Sequence, residues 1–297
     1  MSRILVTGGA GQVGQELQFL ADLYPGFDFI FTDVAELDIT DSASVQAFFA
    51  QQPLDYCINC AAYTAVDKAE SDLAPATRIN VDGPRHLAEA CAQAGIPFLQ
   101  LSTDYVYHNQ QNTPFKEGDP TSPQGVYAAT KLDGDLAALA AHPAGAMVIR
   151  TSWVYSSFGH NFVKTMLRLG KERDQLRVVF DQIGTPTYAR DLAVAMLDIL
   201  QQAEQTPELK QQLKGVYHYS NEGVCSWYDF ALAIFELCDI HCRVAPIESS
   251  EYPTPAARPP FSVLNKAKIK QTFGLEIPHW RESLLACLVE LGEIGYE

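Results

Sequence analysis

Arg3-Ile4-Leu5-Val6-Thr7-Gly8-Gly9-Ala10-Gly11-Gln12-Val13-Gly14 is the stretch from which the rest of the chain is read. A short apolar run meets four glycines. Glu16, Leu17, Phe19, Leu20 and Leu23 then continue as an amphipathic segment, so the order is strand, tight turn, helix. Glycines admit positive φ and let a phosphate approach where a Cβ would stand in the way. The helix that follows offers unpaired N–H groups and about half a positive charge, a natural seat for a pyrophosphate. Asp33 follows Gly14 at the end of a second apolar run, Phe27 to Thr32. An acid at that distance can hold the ribose hydroxyls of an adenine dinucleotide. Two fingerprints fit, Gly9-x-Gly11-x-x-Gly14 and Gly8-x-x-Gly11-x-x-Gly14, and the glycines alone do not choose between them.

The chain has 297 residues, enough for one large domain or one and a half, with 47% hydrophobic and 19% charged residues. Its formal net charge of −15 argues against non-specific binding to nucleic acid or acidic membranes, both polyanions. No apolar stretch approaches the ~20 residues of a membrane span. The first strand begins at residue 3, which leaves no room for a signal peptide. Seven cysteines form no framework and suit a cytoplasmic protein. Cys57 and Cys60 lie inside an apolar run and read as core thiols, while Cys238, His241 and Cys242 have no fourth ligand at a zinc spacing. No metal site is expected.

Further along, Ser42 to Gln51 reads as a helix capped by Asp41 or Ser42, and Asp55 to Cys60 as a third strand. A long helix from about Thr77 to Gly95 leads into a fourth strand, Ile96 to Ser102. Residues 108–124 are a surface loop. A helix from Gly125 to Ala141 and a fifth strand, Ala146 to Arg150, complete the regular alternation. The expected fold is α/β, a Rossmann-type doubly wound parallel sheet in residues 1–150. Residues 151–297 form mainly a smaller, mixed α/β C-terminal substrate lobe, with parts of 151–225 returning to the first domain. Its expected elements are helices Asn161 to Arg173, Arg190 to Gln202, Ser226 to Leu237 and Trp280 to Leu291, strands Leu176 to Phe180 and Val216 to Ser220, and an irregular segment, Tyr252 to Pro260.

Chemistry concentrates at Ser102-Thr103-Asp104-Tyr105, where strand four ends, and at Tyr127-x-x-x-Lys131 on the next helix. Residues four apart share a helical face, so phenol and ammonium point the same way. Reduction of a ketone by a nicotinamide needs a proton at the carbonyl oxygen as hydride reaches the carbon. A phenol of pKa ≈ 10 becomes a better partner near neutrality if a fixed cation stabilises its anion. Lys131 and the nicotinium of the oxidised cofactor are together expected to lower the phenol in this way. Thr103 would hold the ketone oxygen beside it.

These residues resemble the extended short-chain dehydrogenase/reductase family through Thr7-Gly8-x-x-Gly11-x-x-Gly14, Asp38-Ile39, Asn59-x-Ala61-Ala62 and Tyr127-x-x-x-Lys131. Within it the chain is similar to the dTDP-4-dehydrorhamnose reductases. The matching segments are Gly11-Gln12-Val13-Gly14-Gln15-Glu16-Leu17, Ala61-Ala62-Tyr63-Thr64-Ala65-Val66-Asp67-Lys68-Ala69-Glu70, Ser102-Thr103-Asp104-Tyr105-Val106-Tyr107 and Arg150-Thr151-Ser152-Trp153-Val154-Tyr155. Further segments are Asn161-Phe162-x-Lys164-Thr165-Met166-Leu167, Asp181-Gln182-x-Gly184-x-Pro186-Thr187 and Tyr252-Pro253-Thr254-Pro255-Ala256-x-Arg258-Pro259.

The resemblance implies reduction of the C4 ketone of dTDP-4-dehydro-6-deoxy-L-mannose, the last step of dTDP-L-rhamnose synthesis. Tyr127 would be the proton donor, Lys131 its tuning partner and a nicotinamide-ribose ligand, and Thr103 the group that orients the ketone. Gly8, Gly11, Gln12, Val13, Gly14, Asp33, Asp38, Ile39, Ala61, Ala62, Tyr63 and Ser102, together with Tyr127 and Lys131, would hold the cofactor. Thr64, Val66, Thr103, Asp104, Tyr127, Trp153, Asn161 and Arg258 would meet the dTDP-sugar, Trp153 packing on the sugar and Arg258 pairing with the diphosphate. Asp33 disfavours a 2′-phosphate and leans toward NADH, but the family accepts both cofactors, so NADPH or NADH is expected. In an enterobacterial type of this family a magnesium ion bridges a dimer through glutamates. Glu16 matches one of them, but Arg190 stands where another would be, so the metal is not carried over and the protein is expected as monomer or homodimer. Other readings are a regulatory subunit resembling the methionine adenosyltransferase β subunit, and another nucleotide-sugar reductase or epimerase of the same fold.

Overall fold

Six strands run parallel in one sheet, five of them β1 (Ser2–Thr7), β2 (Phe27–Thr32), β3 (Tyr56–Asn59), β4 (Phe98–Thr103) and β5 (Ala146–Thr151). The spatial order is Gly215–His218, β5, β4, β3, β1, β2. The computed structural model describes residues 1–295. The chain leaves β1 for β2 on one side and then crosses to β3 on the other. That reversal opens a crevice beyond the carboxyl ends of β1 and β3, where ligands of open α/β sheets bind.

The double winding follows from the period of two along each strand. Ile4 and Val6 of β1 face a core that contains Leu17 and Leu20 of helix α1 (Gln12–Leu20) and Leu192, Ala193 and Met196 of the helix Ala189–Gln205. Leu5 faces the opposite core, with Val45 of helix α2 (Ser42–Gln51) and Leu87 and Cys91 of the helix Gly83–Ala94. Asp41 caps α2 by accepting from Ala43 N at 3.0 Å.

The helix expected over residues 77–95 is three pieces: Leu73–Thr77, a wider i→i+5 turn at Arg78–Asp82, and Gly83–Ala94, which stops at left-handed Gly95. The widened turn lies against the helix Gly125–Ala141 at van der Waals range of its backbone. A Cβ added to Gly134 would stand 1.9 Å from the Asn80 carbonyl oxygen. Such bulges gather near functional sites.

A separate hydrophobic core holds the helices Phe162–Glu172, Trp227–Leu237 and Trp280–Glu290, with the strand Gln175–Val179. The strand Arg243–Ile247, which pairs in parallel with Gln175–Val179, was not expected. Pro246 sits inside it, and a proline weighs against a strand except at an edge, which is where this two-stranded ribbon places it. The helix Ala189–Gln205 and the strand Gly215–His218 pack with the large sheet. Positions 296 and 297 of the expected 151–297 lobe lie outside the described residues. Among the described residues no helix is long and apolar enough to cross a membrane.

Candidate active site

The glycine turn is built by backbone contact. Gly8 has φ +69°, and a Cβ on it would lie 2.5 Å from Ala61 N, at the end of β3. A Cβ on Gly14 would lie 2.4 Å from the Gly8 carbonyl oxygen. Gly9 has ordinary φ, and its Cβ would meet first a flexible side-chain end, Gln18 Nε2 at 3.3 Å. The spacing in use is therefore Gly8-x-x-Gly11-x-x-Gly14. Gly11 opens α1 with no side chain capping it, which leaves the helix start to a ligand. The Asp33 carboxylate accepts from Ala10 N at 3.0 Å and so ties the end of β2 to the turn.

The crevice beyond β1, β3 and β4 is a cavity of about 540 Å³. Gly11, Gln12, Val13 and Ala62 line one end, and Ser102, Thr103, Asp104, Tyr127 and Lys131 the middle. Thr64, Val66 and Trp153 close the other end. Catalytic, cofactor and substrate candidates thus share one space. Gly8, Gly14 and Ala61 form the turn behind it and Asp33 ties to that turn, while Asp38, Ile39, Tyr63 and Asn161 are engaged elsewhere; none of these eight lines it. Asp38 caps Thr40 N at 2.9 Å, and buried Ile39 packs against Gly83. The Tyr63 hydroxyl donates to Asp72 at 2.8 Å. The Asn161 amide donates to Gln12 Oε1 and Ser156 O, and its oxygen caps the helix Phe162–Glu172 at Lys164 N. Asn161 holds the turn to the second core instead of facing the cavity.

Thr103, Asp104 and Lys131 are almost fully buried. Lys131 Nζ donates to Leu101 O at 2.8 Å, and burial holds its ammonium below the ordinary value, with Asp135 opposing. The protein's own groups push the Tyr127 phenol up to about 12. Burial is the main cause; the Thr103 hydrogen bond works against it, and the Asp104 and Asp135 carboxylates add to it. The phenolate would have to form in a largely desolvated position beside two acids. A high pKa keeps the phenol protonated, the state a proton donor must start from. Burial likewise raises Asp104 to about 7, with Ser262 and Thr103 offsetting part of the shift.

Arg258 lines a second cavity of about 730 Å³ together with Asp67, Arg173, Arg177, Tyr252 and Thr254. Its guanidinium forms a two-pronged ion pair with Asp67, at 2.7 and 2.8 Å. Asp67 therefore holds the fork that the sequence reading gave to a diphosphate. Glu16 is wholly buried, with one oxygen accepting from Ser156 at 2.6 Å and the other from Arg190 at 2.8 Å. A carboxylate saturated by a hydroxyl and a guanidinium does not fit a divalent cation.

Three residues escaped the sequence reading. Asp135, one helical turn beyond Lys131, is buried and accepts from Ser102 Oγ at 2.8 Å and Arg150 Nε at 3.2 Å. Its i,i+4 spacing from Lys131 was the available signal. Asn80 in the widened turn accepts from Tyr63 N and donates to Thr130 Oγ1. Trp227 reaches both cavities. It opens a helix, and the period there reports only its amphipathic pattern.

A parallel sheet with this crevice, a glycine turn at its switch point and the Thr103–Tyr127–Lys131 set lining it define an oxidoreductase of the extended short-chain dehydrogenase/reductase type. The family described as the RmlD substrate binding domain matches residues 1–292, and the chain belongs to it. A dTDP-4-dehydrorhamnose reductase of Sinorhizobium fredii is 40% identical over 285 residues, 95% of either chain. The crystal structure of a dTDP-4-dehydrorhamnose reductase from Clostridium acetobutylicum superposes with a TM-score of 0.91 at 41% identity, covering 98% of this chain and 99% of that one. Another, from Bacillus anthracis in complex with NADP, gives 0.90 at 37% identity over 98% and 100%.

Proposed function

We propose that the protein reduces the C4 ketone of dTDP-4-dehydro-6-deoxy-L-mannose to dTDP-L-rhamnose, the last step of dTDP-L-rhamnose synthesis, with NADPH or NADH. The observation that carries this reading is that the glycine turn and the Thr103–Tyr127–Lys131 set face one cavity, in a chain whose relatives bear that reductase's name. The glycine cradle, which any Cβ would fill, fits a dinucleotide pyrophosphate. A bound reduced nicotinamide supplies the hydride for C4. Thr103 and Tyr127 hold the ketone oxygen, and the Tyr127 hydroxyl gives that oxygen its proton, leaving a phenolate that Lys131 steadies. Burial of Thr103 and Lys131 limits water around the reacting atoms.

Residues 1–150 serve as the dinucleotide-binding domain, and 151–297 mainly as the substrate lobe, with parts of 151–225 returning. Asp104, Thr64, Val66 and the edge of Trp153 surround the sugar. Arg258 takes the diphosphate once Asp67 yields the fork. The protein works in the cytoplasm as monomer or homodimer. The test is absorbance of reduced nicotinamide, with the ketosugar generated in situ and NADH and NADPH in parallel. Oxidation that depends on the sugar is expected. Dinucleotide binding without oxidation by either cofactor would refute the reading and favour a regulatory subunit.

A further inference from the structure

Trp153 is held in an unusual way. Its φ is +47°, a left-handed conformation that bulky residues avoid and that persists only where the surroundings enforce it. One face of its indole lies against Trp227, with ring centroids 3.6 Å apart and planes 10° from parallel. Gly184 lies close on the indole as well: a Cβ there would stand 2.6 Å from Trp153 Cε2. Gly184 pairs with Cys225, the residue two before Trp227, so a strand ladder ties the glycine that meets the Trp153 indole to the segment that carries Trp227. The ladder runs on through Ser226, which caps the helix beginning at Trp227 in a reciprocal box with Asp229. Phe162 packs on Trp227 at 4.7 Å. With one face of Trp153 covered, the cavity is offered what remains of the indole. Trp227 is also the residue common to the linings of both cavities. It therefore stands where a molecule filling both would cross from one to the other.

We propose that Trp227 is a positioning residue for the dTDP-sugar: it clamps Trp153 in its strained conformation and forms the sill over which the substrate passes from the sugar cavity to the Arg258 cavity. The inference rests on the proposed reductase reading and adds a residue that neither the sequence motifs nor the relatives' names single out. Without the indole at 227, Trp153 is free to relax toward ordinary φ, and its edge leaves the sugar. The dinucleotide end of the cavity, at Gly11 and Val13, stands on β1 and α1, which carry neither indole.

The test compares wild type with Trp227→Ala, Trp227→Phe and Gly184→Ala. Steady-state KM and kcat for the ketosugar are measured, with the Kd of reduced nicotinamide and the Kd of dTDP-L-rhamnose by calorimetry. Trp227→Ala is expected to raise KM and weaken dTDP-L-rhamnose binding by about tenfold, the worth of one stacked aromatic pair. Dinucleotide Kd stays within about twofold. Trp227→Phe recovers part of the loss. Gly184→Ala, which pushes on the same indole from its own position, is expected to raise KM as well. Unchanged KM in Trp227→Ala overturns the proposal. So does a joint loss of sugar and dinucleotide binding, the mark of a merely structural role. Failure of the wild type to turn over while it still binds dTDP-L-rhamnose would refute the reductase reading alone, because the binding titrations still report on Trp227.

Discussion

Replacing Asp104 by Asn should stabilise the protein, and by an amount that depends on pH. Asp104 is 1% exposed at the end of β4. Thr103 Oγ1 donates to its Oδ1 at 3.2 Å, and its Oδ2 is enclosed with no hydrogen bond of good geometry. The nearby Ser262 hydroxyl relieves only part of the penalty, and burial lifts the carboxyl from 3.8 to about 7. In the folded state it binds a proton that the unfolded chain has lost, so between these two values its contribution to stability falls as pH rises. About three pKa units correspond to roughly 4 kcal/mol, complete above the folded value and about 2 kcal/mol at pH 5. Asn has nearly the same shape and no charge to desolvate. Urea denaturation of wild type and Asp104→Asn, followed by tryptophan fluorescence from pH 5 to pH 9, should show the variant's advantage growing by roughly 2–3 kcal/mol between pH 5 and pH 8. The same change removes a carboxylate that raises Tyr127, so the basic limb of the pH–rate profile should move down. A stability difference that does not vary with pH, or a less stable variant at pH 8, would refute the reasoning.

Tyr127→Phe should leave dinucleotide affinity nearly intact and lower turnover by roughly 10²–10⁴, the usual worth of a general acid; near-normal turnover would remove Tyr127 from the chemistry. Arg258→Ala should raise KM more than it lowers kcat, and Asp67→Asn, which vacates the same fork, should lower KM. An unchanged KM in both places Arg258 away from the diphosphate. Arg190→Ala leaves the Glu16 carboxylate buried without its cation and should destabilise by about 3–5 kcal/mol in thermal or urea unfolding. A fall of less than about 1 kcal/mol would mean that Glu16 is comfortable without it.

The first 150 residues were legible because strand and helix periods alternate there without interruption, and Gly8, Gly11 and Gly14 mark a turn that only a backbone contact explains. Thr103, Tyr127 and Lys131 could be read for the same reason, one at a strand end and two a helical turn apart. What could not be read depends on distant partners. Nothing local tells that Asp67 occupies Arg258, 191 residues away, or that Asn161 spends its amide on Gln12. The lysine and a bound nicotinium suggested a lowered phenol, and burial, which sequence does not report, pulls the other way. Arg243–Ile247 was missed because its pairing partner lies in another part of the chain, and Asn80 because an i→i+5 turn keeps nearly the same apolar spacing as a regular helix.

The approach of Gly134 to the Asn80 carbonyl bears on how such an enzyme diversifies. The helix Gly125–Ala141 rests on the backbone of the turn Arg78–Asp82 with no side chain between, so the spacing of these two segments is set like a stop on a ruler. Tyr127 stands seven residues, roughly 10 Å, up the helix from that stop. A change in the loops around the sugar can widen or narrow the pocket without moving the proton donor. A change at Gly134 acts on the donor through the helix, from outside the pocket lining. Substitutions in the sugar loops and at Gly134 thus reach one cavity from different parts of the chain, and a lineage can explore the first while the second stays fixed.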